Sequence, residues 1–387
     1  MVTILFTKFQ RIEGHGVNMT AISEVSKLSW RAIENDYTLD QYEEELEKIR
    51  KKKRNYTPWQ VAIGAGFACG GFCIQFGCDW VAFLYASIAA ILGMRLRQVC
   101  NESGLNHYMG IAISAFVATI IAWASTLLPA EWTSTPWHPL LACALFIVPG
   151  VPLINFVDDM LDNYIQVGIV RAVNTLLMVA AMAFGIAFAV KLCHIENFFP
   201  TISMVPHHQY WEYAIAAAIS AMGFSMIFNI QRRLLWVVAI GGIIAVCTRN
   251  FVNLGPSTDN IGLDMGLVIG SFSGAVLVSL IAIKAVHWFH VPNHVLTIPS
   301  VIPMIPGVLM YRMLFGIINI NVQSIDQVTP LMKAIESGVN SGLVIMCIAL
   351  GVAIPNIFGR RFIASSKNKR LAELLKERKA RGKFVEW

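Results

Sequence analysis

From Trp59 to Phe358 the chain is a succession of apolar stretches of about membrane-spanning length, separated by short polar links. A bilayer offers no water to backbone N–H and C=O groups, so a chain that crosses it must satisfy them inside helices or inside a closed barrel. A barrel strand needs about ten residues and a spanning helix about twenty. The stretches have the second length. They predict about ten helices, over 59–77, 80–97, 107–128, 137–156, 164–192, 210–230, 233–249, 262–286, 293–318 and 330–357.

Charge agrees with this reading. Only 14% of residues are charged, against about 25% in a soluble domain. Of 30 Lys and Arg, 10 precede Trp59 and 10 follow Phe358. Basic residues gather on the cytoplasmic side of membrane proteins. With the N-terminus inside, the inner links carry Arg95, Arg97, Arg232, Arg233 and Lys284, and Arg171 lies just within a helix on that side. The outer links carry Lys191, Arg249, Arg312 and Lys333. Both ends are then cytoplasmic, as an even number of spans requires, and the expected location is the cytoplasmic membrane. The net charge of +6 reflects these flanks, and no nucleic-acid partner is expected. The basic tail from 358 to 387 reads as a helix lying on anionic lipid headgroups.

Residues 1–58 read as a small cytoplasmic segment, the remainder of a larger domain. "VTILFTKF" has the alternation of a short strand, and two amphipathic helices follow at about 20–34 and 38–53. Thr38 with Gln41 forms a capping-box pair for the second. The opening residues lack the basic start and cleavage site of a secretory signal. Eight cysteines show no zinc-ligand spacing; Cys69 and Cys73 read as small buried hydrophobes. His207, His208, His287, His290 and His294 fall at membrane edges, where anchoring is the simpler role than metal binding. No metal and no cofactor is expected.

Two spans contain breakers. Pro149, Gly150 and Pro152 interrupt the fourth, and Pro303, Pro306 and Gly307 interrupt the ninth. Aligning Pro149-Gly150-Val151 with Pro306-Gly307-Val308 brings Gly71-Phe72 near Gly223-Phe224 and Trp80 near Trp236. Val173, Asn174, Leu177, Ala183, Gly185 and Ala187 of the fifth span match Val339, Asn340, Leu343, Ala349, Gly351 and Ala353 of the tenth. The halves 59–193 and 210–357, joined by an outer linker at 194–209, therefore read as two five-span repeats. An odd number of spans inverts the second repeat, a recurrent plan of secondary transporters. The expected fold is an all-α polytopic membrane protein of two inverted five-helix repeats.

Irregular backbone at membrane depth is tolerated where it is buried in protein or lines a wet cavity. A helix resuming after a break points its positive end inward, toward any anionic group. A simple proline kink is the competing explanation. The polar residues near the breaks are Asn155, Asp158, Asp159, Asp162, Arg171 and Asn174 in the first half, and Arg312, Glu336 and Asn340 in the second. Ionisable groups at that depth usually mark a pathway. Arg171 or Arg312 could hold a carboxylate, and Asp159 or Glu336 could carry a proton. Snorkelling or paired end residues are the alternative. Asp264 is a weaker candidate of the same kind.

"PGVPLINFVDDMLDNYIQVGIVRA" resembles the signature of the ThrE-type threonine/serine exporter family. That signature, PG-x-P-x-x-N, then Asp, then G-x-x-R, falls on Pro149, Gly150, Pro152, Asn155, Asp159, Gly168 and Arg171. "IPSVIPMIPGVLMYR" and "SGVNSGLVIMCIALGVAIP" are similar to its second-half segments. The resemblance implies a proton-driven exporter of small hydrophilic solutes. Some members take threonine and serine. Others, split into two subunits, are linked to dicarboxylates such as succinate. Here both halves share one chain; a homo-oligomer is compatible. Family members usually carry a longer N-terminal region, so this chain begins within its later part. Asn163 stands where the family often has Gly, and Asn tolerates the left-handed turn. No H-E-x-x-H, G-x-S-x-G or P-loop pattern supports a membrane enzyme; a passive channel is the other rival.

Overall fold

The computed structural model describes residues 16–129, 131–195, 208–256, 260–318 and 328–380. The strand expected at residues 2–9 and most of the outer linker lie outside them. Among the described residues every regular element is a helix.

The first pair is α1 (Met19–Asn35) and α2 (Leu39–Lys51). The capping box at Thr38 is formed, with Gln41 N–H donating to the Thr38 hydroxyl and Gln41 Oε1 accepting from Thr38 N–H. The first half follows as α3 (Pro58–Gln75), α4 (Trp80–Glu102), α5 (His107–Trp123), the short α6 (Pro139–Ala142), α7 (Gly150–Leu161) and α8 (Ile165–Leu192). The second half is α9 (Tyr210–Ile227), α10 (Leu235–Asn253), α11 (Leu267–Phe289), α12 (Asn293–Val301), α13 (Gly307–Ile318) and α14 (Val328–Ala380). Asp264 precedes α11 in a left-handed turn rather than lying within a helix.

Among the described residues six helices are long and apolar enough to cross a membrane, and the two bent pairs make eight if each is one span. The remaining expected spans, α3 and α9, are 18 residues each and rich in Gly, Ala and Ser. Their composition follows from their position. They run antiparallel against each other in the centre, where close backbone approach matters more than lipid affinity. A Cβ at Gly223 would stand 2.3 Å from the Gly64 carbonyl, and one at Gly71 would stand 2.2 Å from Ser220 Oγ.

Hydrogen bonds fix which helix termini share an end. At the end that carries α1 and α2, Gln98 donates to the Pro58 carbonyl, Arg232 donates to the Asn55 carbonyl, and Asn293 meets Asn356. At the opposite, distal end, Asp79 accepts from Thr133 and Ser134, and Asn260 donates to the His208 carbonyl. Exposed tryptophans ring both ends: Trp59, Trp236 and Trp288 at the first, and Trp80, Trp132 and Trp211 at the second. Such belts sit at membrane–water interfaces.

The turn between α9 and α10 is a socket for the N-terminal pair. Asn229 adopts φ of 55°, a conformation Asn reaches more easily than most residues. Its Oδ1 accepts from Asn55 N–H, its Nδ2 donates to Asn18, and its carbonyl accepts from Thr20.

Candidate functional site

Both breaks use the same backbone hydrogen bonds. In the first, Val148 N–H donates to Leu145 O, Gly150 N–H to Val148 O, and Leu153 N–H to Pro149 O. In the second, Ile305 donates to Ile302, Gly307 to Ile305, and Met310 to Pro306. Pro149, at φ −77° and ψ 62°, centres an inverse γ-turn. Pro152 sits in the first turn of α7, where a missing N–H costs little. Pro303 lies in the 3-10 turn before the second break. The resulting bends are 57° and 62°.

The breaks also touch. A Cβ at Gly150 would stand 2.8 Å from Ile305 and 3.3 Å from Ile302, and a Cβ at Gly307 would stand 2.7 Å from Leu145 and 3.0 Å from Val148. Each glycine therefore packs on the residues that precede the other break. Phe72 and Phe224 meet edge to face beside this contact, with centroids 5.8 Å apart. The cavity bounded by these residues is apolar and measures about 10 Å³, the threshold for one water. No solute fits between the breaks in this conformation. The start of α7 is nearly self-satisfied as well, because the Gly150 amide is used in the turn and Pro152 has none.

The polar residues that follow the first break gather toward the end that carries α1. Asn155 is half-buried on α7. Asp159, one turn on, forms an ion pair with Arg171, with Nη1 2.6 Å from Oδ2. Asn163, at φ 67°, turns the chain so that α8 returns alongside α7 and carries Arg171 back to Asp159. Asn174 accepts a hydrogen bond of 2.7 Å from the Tyr108 hydroxyl of α5. His294 Nε2 of α12 stands 4.0 Å from the Asp158 carboxylate.

The second-half candidates are less gathered. Arg312 is half-buried on α13, while Glu336 and Asn340 are exposed on α14. Tyr108, His294, Phe72 and Phe224 were not singled out as site residues from sequence. A tyrosine beside a helix start and a histidine at a membrane edge carry no distinguishing pattern, and the matched Phe72 and Phe224 point to the site only once their contact is seen. The eight cysteines are free, and no cluster of potential metal ligands occurs among the described residues.

The family described as "Putative threonine/serine exporter" matches residues 1–193, and the one described as "Threonine/Serine exporter, ThrE" matches residues 213–358. The chain belongs to the threonine/serine exporter family. Within this exporter family it is similar to the "Probable succinate transporter subunit YjjP" of Klebsiella aerogenes, 28% identical over 187 residues, covering 48% of this chain and 71% of that protein. The protein of the same name from Escherichia coli (strain K12) is 27% identical over 186 residues, covering 48% and 72%. No solved structure matches the exporter chain.

Proposed function

We propose that this chain is a secondary transporter that exports small hydrophilic carboxylate-bearing solutes of the threonine/serine type, coupled to protons by alternating access. The observation that carries the reading is the reciprocal packing of Gly150 on Ile302 and Ile305 and of Gly307 on Leu145 and Val148. Equivalent elements that contact each other through equivalent residues behave as an isologous pair. That supports ten crossings arranged as two inverted five-helix halves, 59–193 and 210–357, with residues 1–58 and 358–387 cytoplasmic and the protein in the cytoplasmic membrane.

In this reading the occluded apolar contact between the breaks is the barrier, and alternating opening on its two sides is the transport step. Arg171 is engaged by Asp159 in the resting pair. The solute carboxylate displaces Asp159 from Arg171 on the cytoplasmic side; Asp159 takes up a proton when the outer side opens and releases it inside, so that proton entry drives the return step after solute release. The pair, with Asn155, forms the binding region on the α1 side, and the helix start at Pro149–Pro152 joins it only when the contact between the breaks opens. Arg312, Glu336 and Asn340 are its second-half counterparts, reached when the opposite side opens.

A dicarboxylate is the second reading of substrate, favoured by the printed name of the Klebsiella aerogenes and Escherichia coli relatives. Those relatives are named as subunits, which supports self-association or a partner chain. Uptake into inside-out vesicles, with threonine, serine and succinate in competition, separates the substrates. Flux insensitive to an uncoupler, with no concentrative uptake before it is added, would replace the proton-coupled exporter by a passive channel. Product formation by the protein in detergent would make it an enzyme.

A further inference from the structure

Two arginines outside the candidate site occupy matched places in the two halves. Gly93 of α4 lies against Ala118 of α5 and Phe146, just before the first break. In the second half, Ala245 of α10 lies against Gly274 of α11, which also meets Met304 just before the second break. Gly93 and Ala245 thus stand at corresponding crossings of the second and third spans of each half, next to the break, which Gly93 itself meets in the first half and Gly274 meets in the second. One turn further along each helix, on the same face, stand Arg97 and Arg249. Because α4 and α10 run in opposite directions, Arg97 lies toward the α1 end and Arg249 toward the distal end. Both are half-buried, and no carboxylate pairs with either among the described residues.

The surroundings of Arg249 are rich in donors and poor in acceptors. Its Nε and Nη2 donate to Asn250 Oδ1 at 3.1 and 3.0 Å, and Nη2 reaches Gln75 Oε1 at 3.5 Å. Gln75 and Asn250 are 4% and 2% exposed, and the amide nitrogens of both, Nε2 and Nδ2, have no acceptor. Buried donors without acceptors are costly. A guanidinium flanked by two such amides lacks one thing, an anion with several acceptor oxygens. Gln75 lies one turn beyond Phe72, so this cluster sits directly past the apolar contact between the breaks, on the side away from Asp159 and Arg171.

We propose that Arg249, with Gln75 and Asn250, and its counterpart Arg97 are matched carboxylate-binding positions that serve opposite ends of one solute path. The proposal rests on the exporter reading for its ligand. The shared chemistry is a carboxylate or phosphate oxyanion; the proposal assigns it to the transported solute, and a lipid headgroup is the competing source that the test separates.

The test is the rate at which phenylglyoxal modifies each arginine of the full-length chain in detergent, read by peptide mass spectrometry. Arg50, exposed on α2, is the internal control. Succinate or threonine at about ten times its Kd should slow modification of both Arg97 and Arg249 by about tenfold, with Arg50 unchanged. Gln75→Leu should abolish protection at Arg249 and leave it at Arg97. Equal protection by chloride at matched ionic strength, protection only by added anionic lipid, or protection at one arginine alone would each overturn the proposal. So would no protection by either solute. Protection without vesicle uptake would keep the site and remove the exporter reading.

Discussion

The guanidinium of Arg171 stands 2.6 Å from the carboxylate of Asp159, across the left-handed turn at Asn163. Both side chains retain some solvent contact, at 43% and 20%. A pair this accessible contributes little to stability in water, and its presence is better explained by work done when it opens. Asp159→Asn should cut gradient-driven export by about tenfold, the equivalent of about 1.4 kcal/mol, while solute counterflow persists. Arg171→Ala should lose both. Unchanged gradient-driven export in both variants would remove the pair from the mechanism.

The glycines of the central contacts differ in what a methyl group would meet. At Gly150 and Gly307 it meets the ends of flexible side chains, Ile305 Cδ1 and Leu145 Cδ2; at Gly223 it meets the backbone carbonyl of Gly64. Side chains yield and backbones do not. Gly150→Ala and Gly307→Ala should each cost about 1–3 kcal/mol. Gly223→Ala should lower the melting temperature in detergent further than either, because α3 and α9 must separate.

Asp79 caps α4 and holds the distal link. Burial raises its pKa, yet hydrogen bonds from Ala82 N–H, the Thr133 hydroxyl and Ser134 outweigh burial, and the net shift is downward from 3.8. A depressed folded-state pKa stabilises the fold above the unfolded value, and that stability is lost as pH falls through the folded value. The melting-temperature gap between wild type and Asp79→Asn should therefore be constant from about pH 5 to pH 7 and shrink below about pH 4. A gap that widened on acidification would contradict this origin.

Asn229 combines a left-handed backbone with hydrogen bonds to Asn18, Thr20 and Asn55. Ala at this position adds strain of about 1–2 kcal/mol to the lost bonds. Asn229→Ala should speed limited proteolysis of the α2–α3 link. Asn229→Gly, which keeps the conformation, should fall between Ala and wild type. Equal proteolysis of all three would show that the socket does not hold the N-terminal pair.

Most of the helices were legible because apolar length, Thr38–Gln41 and the Pro-Gly breakers act locally. The contact of Gly150 with Ile305 was not legible, because no local rule states which break another break will meet. The Asp159–Arg171 pair was half legible: both residues were marked, but their pairing depends on the turn at Asn163. The last apolar span ends at Gly359, close to the expected residue 357, and α14 runs on through Pro355 and into the basic tail as far as Ala380. Proline in a spanning helix is tolerated where neighbours re-satisfy the freed backbone.

The two breaks, each the other's bearing surface, also have a mechanical consequence. A hinge that rests on a second hinge cannot bend alone without tearing a void at its seat, and voids in packed interiors are penalised. In the proposed cycle the pair acts as one joint with a single degree of freedom: a passage widening above it narrows below it, so a molecule caught between finds one door open at a time and ions find no continuous leak.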